Sequence, residues 1–479
     1  MDSGPRGLLS PLRAPGGLEF PLKPLVITHP IHAFIGTWLG LLVTWFGSGL
    51  TAFAVGTFMY QASGSITQFA LFQFFFFMPM LVLSPLAGAL IDRWDRRYVL
   101  LLSEAGAGVG ALLIWLLLYA SDKGLWKLEL WHFYVPIALG ACFSTFHLPA
   151  CFAATSLLVQ KQHLGRANGM IELASGAGQI LSPVAAGFLL GRVGLHGIVM
   201  FDVASFVFSI AVLLVVRYPR PPPLAVDQQG RRSLLQDIQM GWRFIRARPG
   251  LFQLMVFIGI LNLSTSMVIV LITPLVLSFS DASTLGMVMS FAGMGVVVGG
   301  VLMSVWGGPK RRIHGVLGFY LLSAFALLAA ALPATAAVIA GAAFVYLMCS
   351  PVMISSMQAI WQSKVPPGLQ GRVFAVRRML ALAAPPFAAL ISGPLSDHVF
   401  EPWLAPGGAL AGSVGRVIGT GTGRGIAFLL VVLGVFVMVH TLVSFLSPRI
   451  RNVEDELPDA IPDEKASEPL PPASPATPG

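Results

Sequence analysis

Twelve apolar stretches, each about 20 residues long, occupy most of this 479-residue chain. A helix of that length crosses the hydrocarbon core of a bilayer. Because no water is there to satisfy an open backbone, only helices or closed barrels are admissible. Composition agrees: 56% of the residues are hydrophobic, 11% are charged, and mean hydropathy is +0.79. The expectation is an all-α integral membrane protein with spans near residues 32–58, 67–90, 97–119, 132–156, 167–191, 198–216, 252–277, 284–306, 314–332, 335–357, 372–396 and 425–446.

The basic residues fix a topology. Of the 30 Lys and Arg residues, all but Lys123, Lys127, Arg192, Arg416 and Arg424 fall on one set of alternate gaps and on the two ends of the chain. The positive-inside rule puts that side in the cytosol, so both termini are expected there, in a multi-pass protein of the cell (cytoplasmic) membrane. The net charge of +9 is therefore a topology signal. No basic patch interleaves with exposed aromatics, and no nucleic-acid partner is expected. Cys142, Cys151 and Cys349 all fall within spans without metal-type spacing and read as small apolar packers. No metal or cofactor is expected.

Residues 1–31 read as a disordered cytosolic segment without the apolar core of a signal peptide. Two six-helix bundles follow, over residues 32–216 and 252–446. Between them, residues 217–251 form a cytosolic linker in which Leu235, Ile238, Trp242 and Ile245 recur at helical spacing beside Arg243, Arg246 and Arg248, the pattern of an amphipathic interfacial helix. The tail, 447–479, is acidic and then rich in Pro, Ser and Ala, and reads as disordered and cytosolic. An internal repeat supports the halving. Gly165-Arg166 opens span 5 as Gly371-Arg372 opens span 11, and the same separation relates Gly187 to Gly393 and Glu172 to Arg378. Two related bundles around a midplane cavity are the architecture of many secondary transporters.

Between spans 2 and 3 lies Gly88-Ala-Leu-Ile-Asp92-Arg93-Trp-Asp95-Arg96-Arg97: a small residue, an acid one turn later, and a compact basic cluster. This resembles the loop 2–3 motif of the major facilitator superfamily, and most of all its enterobactin-exporter-like branch, which contains macrolide efflux pumps and is also described as transmembrane secretion effectors. Ser48-Gly49-Leu50-Thr51, Gly165-Arg166-Ala167-Asn168-Gly169 and Phe201-Asp202-Val203-Ala204-Ser205-Phe206 extend the resemblance over about residues 32–450. It implies two pseudo-symmetric six-helix bundles and a gate in which Asp92 faces the amino end of span 11. There the helix dipole would favour the acid, and Arg377 and Arg378 would pair with it. A second, pseudo-symmetric contact is expected between Glu172 and Lys310, Arg311 and Arg312, although Ser304 stands where the second loop would carry its acid. The same Lys and Arg groups would equally serve as topology anchors that snorkel to headgroups.

In span 5, Gly178-Gln-Ile-Leu-Ser182-Pro183-Val-Ala-Ala186-Gly187 resembles the superfamily's exporter motif with Ser and Ala in place of two glycines. Small residues allow close helix packing, and Pro183 bends the helix. An acid at mid-membrane costs about 2.5–3.5 kcal/mol on insertion scales, so Glu104, Glu172 and Asp202 are the candidates for proton coupling. Glu104 has an alternative as a static partner of Arg96 or Arg97, and Asp202 as a cap near the outer interface. Span 1 has no acid and span 4 no Arg, which departs from many proton-driven drug exporters. By resemblance, spans 1, 4, 7 and 10 line the cavity. That makes Trp45, Phe46, His147, Asn262, Tyr346, Met353 and Gln358 candidates, with Gln179 and Phe74, Phe75, Phe76 and Phe77 from neighbouring spans. Aromatic and Met-rich walls with few polar groups suit large amphipathic molecules.

The expected function is export of a hydrophobic or amphipathic small molecule (a siderophore, peptide natural product or macrolide-like drug) by proton antiport, as a monomer in the lipid bilayer. An importer on the same fold and a non-transporting receptor or scaffold are the alternatives. The nine histidines are scattered, which argues against an intramembrane enzyme, and no nucleotide-binding Gly-x-x-x-x-Gly-Lys loop is present. The long loop 397–424 is read either as a partial cover of the exit mouth or as a slack connection.

Overall fold

A computed structural model describes residues 30–91, 94–159, 164–216, 234–331 and 335–456. The first half contains α1 (Pro30–Ser63), α2 (Ile66–Ile91), α3 (Arg96–Asp122), α4 (Tyr134–Leu158) and α5 (Leu164–Val215). At 52 residues α5 would reach about 78 Å if straight, far beyond the ~30 Å core. Gly194 breaks it: its φ of 66° and ψ of −177° belong to a region that glycine alone enters cheaply, and the chain reverses there. α5 is thus spans 5 and 6 joined at a kink. The eleven long apolar stretches among the described residues amount to twelve crossings.

After the linker helix α6 (Leu234–Arg246) come α7 (Pro249–Leu277), α8 (Ala282–Trp306), α9 (Arg312–Ala330), α10 (Ala336–Lys364) and α11 (Pro367–Leu395). Two short helices, α12 (Glu401–Leu404) and α13 (Gly415–Ile418), precede the last crossing, α14 (Arg424–Leu446), and α15 (Pro448–Arg451) and α16 (Val453–Glu456) follow it. An even number of crossings brings Pro30 and the end of α14 to one side, here called the terminal face; the other is the distal face. Asp281 caps α8 at the distal face, accepting from the Thr284 N–H at 2.8 Å. Hydrogen bonding from Thr284 holds its carboxyl below the ordinary range.

The two halves repeat one another's packing. α1 lies on α5, α3 on α4 and on the second limb of α5, and α2 on α4; correspondingly α7 lies on α11, α9 on α10 and α14, and α8 on α10. The halves meet through the matching pairs α2–α11 and α5–α8. This is the all-α, two-bundle architecture expected from the repeat.

Three segments expected to lie outside the bundles are packed. α6 docks on α11: Ile245 is buried, and a Cβ on Gly241 would sit 2.5 Å from the Arg372 carbonyl oxygen. Trp242, counted on the same apolar face, is exposed at the edge of that contact and meets Phe252 edge-on. The first residues of the presumed tail form α15 and α16, with Ile450 and Val453 buried. The loop 397–424 folds onto its own bundle: Leu404 is buried, Phe400 packs on Trp403 and Phe428, and Glu401 accepts from the Gly423 and Ile426 N–H groups at the start of α14.

Candidate functional site

The small-residue motif of α5 lies in the seam between the halves. Toward its own half, Gly178 packs on the Trp45 backbone, and the Ser182 hydroxyl donates to the Phe46 carbonyl at 3.0 Å. Toward the other half, a Cβ on Gly187 would lie 2.7 Å from the Ala282 carbonyl oxygen, and one on Gly286 of α8 would collide with the Pro183 carbonyl. Ala186 between them is fully buried. Ser290 of α8 donates to the Ile180 carbonyl. Backbones this close need residues without bulk, which is why the sequence supplies Gly, Ser and Ala here.

The second joint was not anticipated from the sequence. Asp397, just past α11, reaches the first turn of α2. Its Oδ2 accepts from the Ser65 hydroxyl at 2.7 Å and the Thr67 N–H at 2.8 Å, and its Oδ1 accepts from the Ile66 N–H at 3.1 Å. An acid from one half thus satisfies the open amides at a helix start in the other, where the dipole also favours it. Beside it, a Cβ on Gly393 would lie 2.8 Å from the Thr67 Cα. Both joints are on the distal side. The available signal was an acid placed directly after a span, but its partner lies over 300 residues away in sequence.

Inside the first half, a polar cluster joins four crossings. Glu104 of α3 is 2% exposed, and its Oε1 meets His147 Nε2 of α4 at 2.9 Å, Ser209 Oγ of α5 at 2.9 Å and Thr44 Oγ1 of α1 at 3.4 Å. The Cys151 sulfur lies 3.8 Å from the same imidazole nitrogen. Glu104 Oε2 is buried and has no hydrogen-bond partner among the described residues. Asp202, also 2% exposed, accepts from Ser48 at 3.1 Å and Ser205 at 3.4 Å, and lines a cavity of about 100 Å³ together with Thr51 and Ser144.

The alternative of a static pair between Glu104 and Arg96 or Arg97 gives way here. Arg97 donates to the Leu213 and Leu214 carbonyls at 3.3 and 2.7 Å, the open end of the last turn of α5, and Glu104 takes His147 instead. Asp95 caps α3 by accepting from the Arg97 N–H at 2.9 Å. Asp202 is likewise deep in the bundle, hydrogen-bonded to the Ser48 and Ser205 hydroxyls, and not at the outer interface.

In the second half, Asn262 and Gln358 come together with Arg377 and Arg378 around a cavity of about 290 Å³ between α7, α10 and α11. Arg377 donates to Gln358 Oε1 at 3.2 Å, and its guanidinium carbon lies 4.7 Å from the centre of the Trp361 ring and 5.5 Å from that of Phe374. Gln179 and Tyr346 line a larger cavity of about 640 Å³ between α5 and the second bundle, where the Tyr346 hydroxyl donates to Thr265 at 2.9 Å.

Of the other cavity candidates, Phe46 lines a further cavity of about 800 Å³ and Phe76 the small cavity beside Asp202; these and the rest also pack against neighbours. Phe46 meets Phe201 edge-on, Phe75 stacks on Tyr134 at 4.8 Å, Phe74 and Phe75 and then Phe76 and Phe77 pair edge-on, Met353 is buried, and Trp45 packs against α5. His147 is held by Glu104 rather than lining the cavity of Asn262 and Gln358 or that of Gln179 and Tyr346.

Of the gate residues, Gly88 falls in the last turns of α2, while Asp92, Arg93 and the side chain of Glu172 lie outside the described residues. The basic groups offered to Glu172 have other contacts. Arg311 pairs with Asp455 at 3.5 Å, Arg312 donates to the Ala359 carbonyl at 3.4 Å, and Lys310 is exposed. Glu454 caps α9 through the Ile313 N–H at 3.0 Å, and Lys364 donates to the Glu454 carbonyl. The docked start of the tail thus gives this loop two acidic partners, Glu454 and Asp455.

Comparison with known proteins agrees with this architecture. Macrolide efflux protein A of Streptococcus pyogenes is 24% identical over 379 residues, covering 76% of this chain and 90% of that protein. The enterobactin exporter EntS of Shigella boydii is 27% identical over 245 residues, 50% of this chain and 55% of that protein. A bacterial homologue of the human lysosomal transporter Spinster, solved inward-facing and unoccupied, superposes with a TM-score of 0.66 at 14% identity over 90% of this chain and 98% of that one; it speaks for the fold alone. The Major Facilitator Superfamily model matches residues 37–389. Two matched six-helix bundles with a polar interior and a small-residue seam, read with that match, make the chain a multi-pass membrane transporter that belongs to the Major Facilitator Superfamily.

Proposed function

We propose that the protein exports a hydrophobic or amphipathic small molecule across the cell membrane by alternating access, driven by protons moving the other way. The observation that carries this reading is the distal seam. α5 against α8 and Asp397 against α2 hold the halves together on that side, while the cavity of Asn262, Gln358 and Arg377 lies toward the terminal side of α7, α10 and α11. The distribution of Lys and Arg supports a cytosolic terminal face, so this state is inward-facing. The efflux relatives support the outward direction.

The coupling group on this reading is Glu104. Its carboxylate draws together α1, α3, α4 and α5 through Thr44, His147 and Ser209. Protonation removes the charge that organises those contacts, so proton occupancy alters how the cavity-lining helices α1 and α4 are held. Asp202 and its small cavity offer a neighbouring polar station. By the family resemblance, Asp92 would latch the terminal face in the opposite state.

The test uses inside-out membrane vesicles, an acid-inside gradient and a panel of fluorescent amphiphiles. The expected result is accumulation that collapses with a protonophore. Glu104→Gln should lose gradient-driven uptake and keep counterflow exchange. No gradient-driven uptake of any amphiphile, or uptake only in the opposite direction, would contradict the export reading.

A further inference from the structure

We infer that the cargo carries an anionic group, a carboxylate or a comparably acidic oxygen, and that Arg377 is the residue that receives it. The inference rests on the exporter reading and narrows its substrate class. Arg377 lies ten residues into α11, about 15 Å along the helix from Pro367 and well inside the membrane-spanning part. Among the described residues no carboxylate lies within ion-pair distance of it; the four ion pairs there involve Lys127, His147, His196 and Arg311. Charged side chains held at such depth almost always face a partner or a water-filled path. Here the described surroundings supply only a neutral amide, Gln358, and the rings of Trp361 and Phe374.

The geometry is that of a prepared receptor. A guanidinium has five N–H donors in a rigid plane, and the contact with Gln358 Oε1 uses one. Aromatic neighbours steady the cation without neutralising it. Arg377 borders the roughly 290 Å³ cavity, which Asn262 and Arg378 also line. A fork of donors beside a second amide and a second cation fits a planar acidic oxygen pair, and the apolar wall of Met255, Ile258 and Phe374 fits the body attached to it. None of the long helices α7 to α11 contains an Asp or Glu, so a basic cargo would find no counter-charge on them.

Binding and transport are measured separately on purified full-length protein with three matched amphiphiles: pyrenebutyric acid, pyrenebutanol and pyrenebutylamine. In detergent, the acid should bind at least about tenfold tighter than the amine, a difference of about 1.4 kcal/mol. Arg377→Gln should erase most of that preference while leaving the alcohol within about twofold. Arg377→Lys, which keeps the charge but not the fork, should restore part of it.

Equal binding of acid and amine by the wild type would overturn the inference. So would an equal loss for all three probes in Arg377→Gln, because that is the signature of a latch to Asp92 or of a packing role. Flux of the same probes in proteoliposomes decides the exporter reading independently. Selective binding without outward flux would sink the transport direction and leave the anion site standing; flux without acid preference would do the reverse.

Discussion

The two bundles repeat the same helix contacts yet bury opposite chemistry. In the first half, Glu104 and Asp202 sit among hydroxyls and one imidazole, and each carboxylate is shared between crossings. In the second, the charge beside the cavity is Arg377, partly buried among amides and aromatic rings, and the buried Lys364 lies against the Glu454 carbonyl. A common framework has thus diverged where it touches water and ligand, while the matched joints α2–α11 and α5–α8 have kept their small residues. On the proposed reading, the first half handles protons and the second handles the charge of the cargo. On the same reading each bundle would move as a unit, with the seam as the place where the two become coupled.

The largest effect should come from separating those roles. Glu104→Gln is expected to reduce gradient-driven export to the background of empty vesicles while counterflow exchange persists, as read by paired flux assays. Loss of both would erase the contrast between the halves, since it would make Glu104 part of the general fold or of the cargo site. Thr44, Ser209, His147 and Cys151 face Glu104 from the helices packed on α3, and Asp202 is a further acid in the same bundle. Gradient-driven export that survives Glu104→Gln would move the coupling to another of these groups.

Next in size is Gly286→Leu. A Cβ there already meets the Pro183 carbonyl, and overpacking costs about 1–3 kcal/mol, which depopulates the sealed state by about 5–150-fold. A cysteine in place of Met289, in a background without Cys142, Cys151 and Cys349, should then react faster with an impermeant maleimide from the distal side. Asp397→Ala removes the cap that reaches across to α2 and should shift the same readout less, in keeping with about 0.5–2 kcal/mol for an N-cap. If neither changes maleimide reactivity, the distal seam is not what closes the molecule. Smallest should be Ser182→Ala, which removes one hydrogen bond within the first half, worth about 0.5–1.5 kcal/mol. It should lower the melting temperature slightly and leave distal reactivity unchanged.

What the sequence made legible follows from the range of the physics involved. Hydrophobic runs and Lys/Arg placement are local signals, and the spans read from them agree with the helices to within a few residues at most ends. The α5 motif was also readable, because close helix approach demands small side chains whichever partner arrives. Partners were harder. Glu104 and Arg97 lie two turns apart on one helix, so adjacency suggested a pair; the open carbonyls at the end of α5 drew Arg97 away, and His147 on another helix took the acid. Asp397 looked like the start of a loop because nothing near it in sequence needs an acid. Its role exists only once α2 of the other half is alongside.

The central claim is that the two halves rock about the seam, so that one face opens as the other closes. Spin-label pairs at Gln61 and Trp403 on the distal face and at Trp94 and Gln362 on the terminal face, all exposed positions, read this directly in liposomes. With a proton gradient or pyrenebutyric acid, the account predicts two populations in each pair, the distal distance lengthening as the terminal one shortens. Distances that stay fixed, or lengthen together, would contradict it.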